Sequence, residues 1–199
     1  MGATVVDPTF RRMLDAVAPP ARAQHLDALR GLAVSLMVVD HLALAFGVLP
    51  LRLTLGRLAM PLFFILAGHL SRRVGPRTLW ALALGLALPA LAPWIDSPNV
   101  LAWYAAGVGA LAAARYLRLP LWLLLALPLT LAANGWGSPV LTGYNPLCLL
   151  GLMALGAMLP RASFDWARRL PAPLAVLGRY PLTVYVGHVL ALTWLTASL

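Results

Sequence analysis

The chain has 199 residues, 61% of them apolar and only 11% charged, with a mean hydropathy of +0.84. Soluble globular chains run at about 45–50% apolar and about 25% charged residues. The composition therefore excludes a soluble enzyme, a disordered chain and a nucleic-acid-binding domain, despite a net charge of +9, and it is that of an integral membrane protein.

Every basic residue is Arg and every acidic residue is Asp. The lack of Lys removes Schiff-base chemistry and with it a seven-helix retinal protein. The single Cys148 has no intrachain disulfide partner, and no Cys/His spacing reads as a zinc site, so no metal is expected.

In chain order, residues 1–28 read as a cytosolic N-terminal segment. Its Phe10, Met13, Leu14 and Val17 form a weak amphipathic stretch that Pro19 and Pro20 end. Residues 29–199 read as one helical membrane domain without repeats. A hydrocarbon core of about 30 Å asks for about 20 apolar residues per helix, and seven apolar runs approach that length: 29–49, 53–70, 78–95, 100–114, 119–134, 146–160 and 175–197. The expected fold class is all-α and polytopic, with about seven transmembrane helices. Turn chemistry separates the runs at Asp96–Asn99 and Asn134–Pro139. Pro61, Pro89 and Pro128 fall inside runs, where they predict kinks. In the fourth run Ala102, Ala106, Ala110 and Ala114 form a small-residue stripe beside Ala105 and Gly109. Such a stripe predicts an internal packing face, with a homodimer face as the alternative.

Arginine placement sets the orientation. With seven spans, the Arg clusters at 11–30, 72–77, 115–118 and 161–169 fall on one side, and Arg52 alone falls on the other. Loops rich in Arg stay cytoplasmic, which puts the N-terminus inside and the C-terminus outside.

Titratable groups at membrane depth are costly and mark function by default. They are Asp40 and His41 in the first run, Arg57 in the second, and Arg179, Tyr185 and His188 in the seventh; His69 sits near the interface. Asp27, Arg30, Val34, Met37 and His41 recur at steps of three and four and so share one helix stripe. Eleven residues separate Arg30 from His41, roughly 16 Å at 1.5 Å per residue. Asp40 points about 100° away from His41, so the two are not a base and its orienting partner. Arg57, entering from the outer end of the next helix, is the expected partner of Asp40. Tyr185 and His188 share a face, at a depth similar to that of His41.

The stretch Gln24-His25-Leu26-Asp27-Ala28-Leu29-Arg30-Gly31-Leu32-Ala33, ending at Asp40-His41, resembles the first-helix signature of the transmembrane acyltransferase superfamily, in which a catalytic His follows an Arg by eleven residues. Pro61–Gly68 is similar to the second-helix motif of that group, and Leu177–His188 resembles its closing helix with a Tyr-x-x-His pattern. Within the superfamily, Leu36–His41 with Gly56–Phe63 looks most like the TraX proteins, and next like bacterial relatives of heparan-alpha-glucosaminide N-acetyltransferase.

The resemblance implies a multi-pass protein of the bacterial cytoplasmic membrane. It implies transfer of an acyl group, usually acetyl, from cytosolic acyl-CoA to an acceptor hydroxyl or amine on a sugar, lipid head group or protein N-terminus. It places His41 as base and His188 as reserve base or orienting group, with Asp40, Arg57 and Tyr185 around them. Arg30 anchors the donor, with Asp27, Arg72, Arg73 and Arg179 as further donor-side residues. An acyl arm lying along the Arg30 stripe would bring the thioester towards His41. Two other classes fit the same residues: a membrane scaffold or small transporter, and a cytochrome with two of His41, His69 and His188 as haem ligands.

Overall fold

The computed structural model describes residues 24–71, 74–91, 100–134 and 145–197, and every element among them is helical. The N-terminal amphipathic stretch, Arg72, Arg73, the predicted break at Asp96–Asn99 and the part of the second break beyond Asn134 lie outside the described residues, as does the Arg77 side chain.

Helix α1 (Gln24–Ala45) begins five residues ahead of the apolar run. Asp27 lies in its first turn, where the helix dipole favours a carboxylate. Gly47, at φ +68°, turns the chain into α2 (Leu49–Leu70). Pro50 sits in the first turn of α2, where a missing N–H is harmless. Next come α3 (Pro76–Leu91), α4 (Val100–Tyr116), α5 (Leu121–Ala133) and α6 (Pro146–Met158). A 3-10 segment, Arg161–Arg169, leads to α7 (Ala172–Arg179) and α8 (Pro181–Ala197). Pro61, Pro89 and Pro128 lie inside helices as expected.

Each apolar run is thus helical, but runs and spans are not the same. Among the described residues only α1 and α2, at 22 residues each, reach the roughly 30 Å of a bilayer core alone, at about 33 Å. The count of membrane-crossing units rises to four if two bent pairs each act as one. The seventh run is not a continuous helix. Tyr180 leaves the helical region ahead of Pro181, as residues before proline do, and α7 and α8 meet at 84°. Helix α6 and the 3-10 segment likewise meet at 93°.

Three apolar clusters hold the bundle together. At one end Leu26 and Leu29 of α1 pack with Leu66 of α2 and Phe164 and Ala167 of the 3-10 segment. In the centre Met37, Ala59, Ala81, Leu88, Leu101, Tyr185 and Val189 join five helices. Beside them Phe64, Val108, Leu149 and Met153 tie α2, α4 and α6. The predicted alanine stripe on α4 is only partly a packing face. Ala102, Ala105 and Ala114 are buried, but Ala106 is exposed, and the buried seam runs through Leu101, Val108 and Leu111.

Close helix approach falls instead to paired glycines. A Cβ on Gly31 would run into the Leu174 carbonyl of α7, and one on Gly178 into the Asp27 carbonyl of α1. The same reciprocity links Gly68 to Met153 and Gly156 to Ile65, drawing α2 onto α6. These contacts fix α7 across the start of α1, so that α8 rises beside the rest of it.

Candidate active site

Two helices at opposite ends of the sequence meet at their imidazoles. His41 of α1 and His188 of α8 lie with Nδ1 and Nε2 2.7 Å apart, ring centroids 5.0 Å apart and planes at 25°. The other nitrogen of His188, Nδ1, lies 2.9 Å from the Val184 carbonyl one turn back. A carbonyl only accepts, so Nδ1 of His188 carries the proton. Nε2 of a neutral His188 then accepts from Nδ1–H of His41, and the lone pair of His41 sits on Nε2. Tyr185, 3% exposed, closes the group, its ring 6.1 Å from His41 and 5.4 Å from His188. The grouping of His41, His188 and Tyr185 expected from sequence is therefore assembled. A direct 2.7 Å contact between imidazole nitrogens leaves no space for haem iron between these two histidines. His69 lies at the end of α2 instead, its ring 4.6 Å from that of Phe164 and tilted at 54°.

The donor end is also organised within α1. Arg30 donates to Asp27, three residues back, with Asp27 1% exposed and Arg30 32% exposed. A buried carboxylate thus holds a guanidinium that still reaches solvent. Arg115 donates to the Ser71 carbonyl at 2.8 Å, and Phe164 packs beside Leu26. The ends of α2 and α4 and the 3-10 segment therefore lie around the same end of the bundle as Arg30. Arg179 is exposed at the last position of α7, directly before the bend into α8.

The Asp27–His41 stripe exists, but it is no open groove. Val34 and Met37, between Arg30 and His41, are 1% and 4% exposed because an apolar seam on a helix seeks the core. The direct path for an acyl arm along this face is filled by packed side chains.

At the opposite end of α1 lies a second charged group. Asp40 has Arg52 as an ion-pair partner, with Nε 4.0 Å from Oδ1. The charge of Arg57 also acts on Asp40. Arg52 opens a π-helical turn that runs to Gly56. At the end of that turn Gly56 lies so close to Asp40 that a Cβ there would meet its side chain. Sequence reasoning had Arg52 in an outer loop; the only signal for the turn was Gly56 ahead of Arg57. Helical irregularities of this kind recur at functional sites. Cys148 is a free, half-buried thiol on α6.

No curated protein and no solved structure matches the chain. Residues 24–95 match the family model described as an acyltransferase domain. That match spans α1, α2 and α3, and so contains Asp27, Arg30, Asp40, His41 and Arg52 on one side of the imidazole pair. Through this segment, about a third of the chain, the protein is similar to acyltransferase-3 membrane proteins.

Proposed function

We propose that the protein is a membrane acyltransferase that moves an acyl group, acetyl in the first instance, from cytosolic acyl-CoA to an acceptor hydroxyl or amine. The observation that carries this reading is the hydrogen-bonded pair of His41 and His188, set at depth on a first helix of acyltransferase type. His41 Nε2 takes the proton of the acceptor as its oxygen or nitrogen bonds to the acyl carbon. The carbon–sulfur bond then breaks, and the proton passes from His41 to the leaving CoA sulfur. His188 keeps His41 in the required tautomer and shares the charge that forms on it. Arg30, steadied by Asp27, binds donor phosphate, for which a guanidinium is suited; Arg72, Arg73 and Arg179 belong to the same donor side in this proposal. Val34 and Met37 shift aside when the thioester enters. The N-terminus is cytosolic, the C-terminus lies outside, and the membrane is the bacterial cytoplasmic one. The likeness of Leu36–His41 and Gly56–Phe63 to TraX proteins supports this reading.

The test is label transfer from radioactive acetyl-CoA in membranes containing the full chain. Wild type labels an acceptor in the lipid or protein fraction, and His41→Ala does not. A wild-type protein that neither binds nor consumes acyl-CoA would leave the scaffold or transporter reading in its place.

A further inference from the structure

Arg52 is a half-buried charged group for which acyl transfer has no use. Its Nε is buried and makes no hydrogen bond. The nearest carboxylate oxygen, Asp40 Oδ1, stands at 4.0 Å, beyond hydrogen-bonding distance. A pair serving only to lock α1 to α2 would close to about 2.7–2.9 Å, the usual length of a charge-assisted bond. Two guanidinium groups, Arg52 and Arg57, act on this single carboxylate, so the cluster is net positive. A net cation with an unsatisfied buried donor in the first turn of a candidate span is costly, and an anion relieves that cost.

The location suits a substrate. Asp40 precedes His41 in the chain, and the charge of Arg52 acts on His41 itself. It lies at the end of α1 remote from Arg30, so donor and second ligand need not compete. Phe46, Val48, Leu49 and Leu53 around it are exposed apolar side chains, which favour a ligand with an apolar tail. We propose that Arg52, set on the π-turn of α2, binds the anionic headgroup, carboxylate or phosphate, of an amphiphilic acceptor. The acceptor role rests on the acyltransferase reading above; the anion site does not.

The experiment uses the full chain in dodecyl maltoside micelles without acyl-CoA. Dodecyl phosphate is titrated by ³¹P NMR, and carboxyl-labelled N-lauroylglycine and neutral monolaurin by ¹³C NMR. Wild type binds one or both anions and not monolaurin, and which anion binds identifies the headgroup. Arg52→Gln weakens that binding by about tenfold or more, the loss expected when one charged hydrogen bond goes. Asp40→Asn acts in the opposite direction and tightens binding, because it removes the competing carboxylate; this variant decides the matter if Arg52→Gln does not fold. Equal binding of monolaurin, or unchanged anion binding in both variants, overturns the site. Anion binding through Arg52 without acetyl transfer overturns the enzyme reading alone. Transfer to a neutral acceptor that Arg52→Gln leaves untouched overturns the acceptor site alone.

Discussion

Nδ1 of His41 and Nε2 of His188 stand 2.7 Å apart although 147 positions separate them in the chain. Because the Val184 carbonyl fixes the proton on the far side of His188, the pair has a direction, and the two histidines are not interchangeable. Their substitution should therefore be asymmetric.

A positioned general base is worth about 10²–10⁴-fold in rate, so His41→Ala should lose acetyl transfer by that order while acetyl-CoA binding persists. His188→Ala should lose less. His188→Gln should recover part of that loss, since the amide oxygen of Gln can accept from His41 Nδ1–H. A merely structural His188 would give equal losses in its Ala and Gln variants, tracking protein yield. Nitrogen–nitrogen coupling between ¹⁵N-labelled rings reads the bond directly and should vanish in both.

Glycine contacts give a prediction on stability. At Gly31 and Gly156 a new Cβ meets a backbone carbonyl, of Leu174 and Ile65 respectively, and only movement of a whole helix relieves it. Overpacking of this kind costs about 1–3 kcal/mol, so Gly31→Ala and Gly156→Ala should lower the melting temperature in detergent. At Gly109 and Gly187 nothing lies within 4 Å of the added Cβ. There Ala should leave stability unchanged or raise it by up to about 1 kcal/mol, through the lower entropy cost of Ala in a helix. A uniform response at all four positions would mean that α1–α7 and α2–α6 are not packed backbone to backbone.

The sequence carried a good deal of this architecture, and its gaps have physical causes. Apolar runs located the helices because burial in lipid demands hydrophobic length. The spacing from Asp27 to His41 placed both ends of the stripe because helical period is local. The depth match of His41 and His188 anticipated their meeting. Three features escaped. The break at Tyr180–Pro181 hides inside a continuous apolar run, and Pro in a membrane helix signals a kink as readily as an end. The π-turn that opens at Arg52, an ion-pair partner of Asp40, depends on a single extra residue per turn, which composition does not encode. Val34 and Met37 look like the floor of a groove in a helical projection, whereas tertiary packing makes them core.

Topology is the next test. The described lengths of α3 to α6, 16, 17, 13 and 13 residues, lie below the about 20 that a span commonly uses. Arginine asymmetry nevertheless favours seven crossings. Reporter fusions after residue 199 and before residue 1 should report opposite sides of the membrane, and one inserted at Arg118, where the chain turns with φ +55°, should report the N-terminal side. Both termini on one side would remove an odd number of crossings, with α5 the first to reassign.

The donor end should separate binding from chemistry. Arg30 is partly exposed and is held by a carboxylate that is itself buried, an arrangement that positions a guanidinium without hiding it. Arg30→Ala should raise the KM for acetyl-CoA with a smaller change in kcat, because a lost ground-state contact weakens binding more than catalysis. The size follows from one charge-assisted contact, about 1.5–3 kcal/mol or roughly 10–100-fold in affinity. Asp27→Asn should move in the same direction by a smaller factor, since Arg30 keeps its charge but loses its anchor. Lys at position 30 should recover only part of the loss, because an ammonium cannot reproduce the two-pronged grip of guanidinium on phosphate. Equilibrium binding of radiolabelled acetyl-CoA checks the order: Arg30→Ala weakest, Asp27→Asn intermediate, His41→Ala equal to wild type. If Arg30→Ala instead lowers kcat with binding intact, the guanidinium acts on the transition state rather than on the donor, and the stripe from Arg30 to His41 has the reverse division of labour.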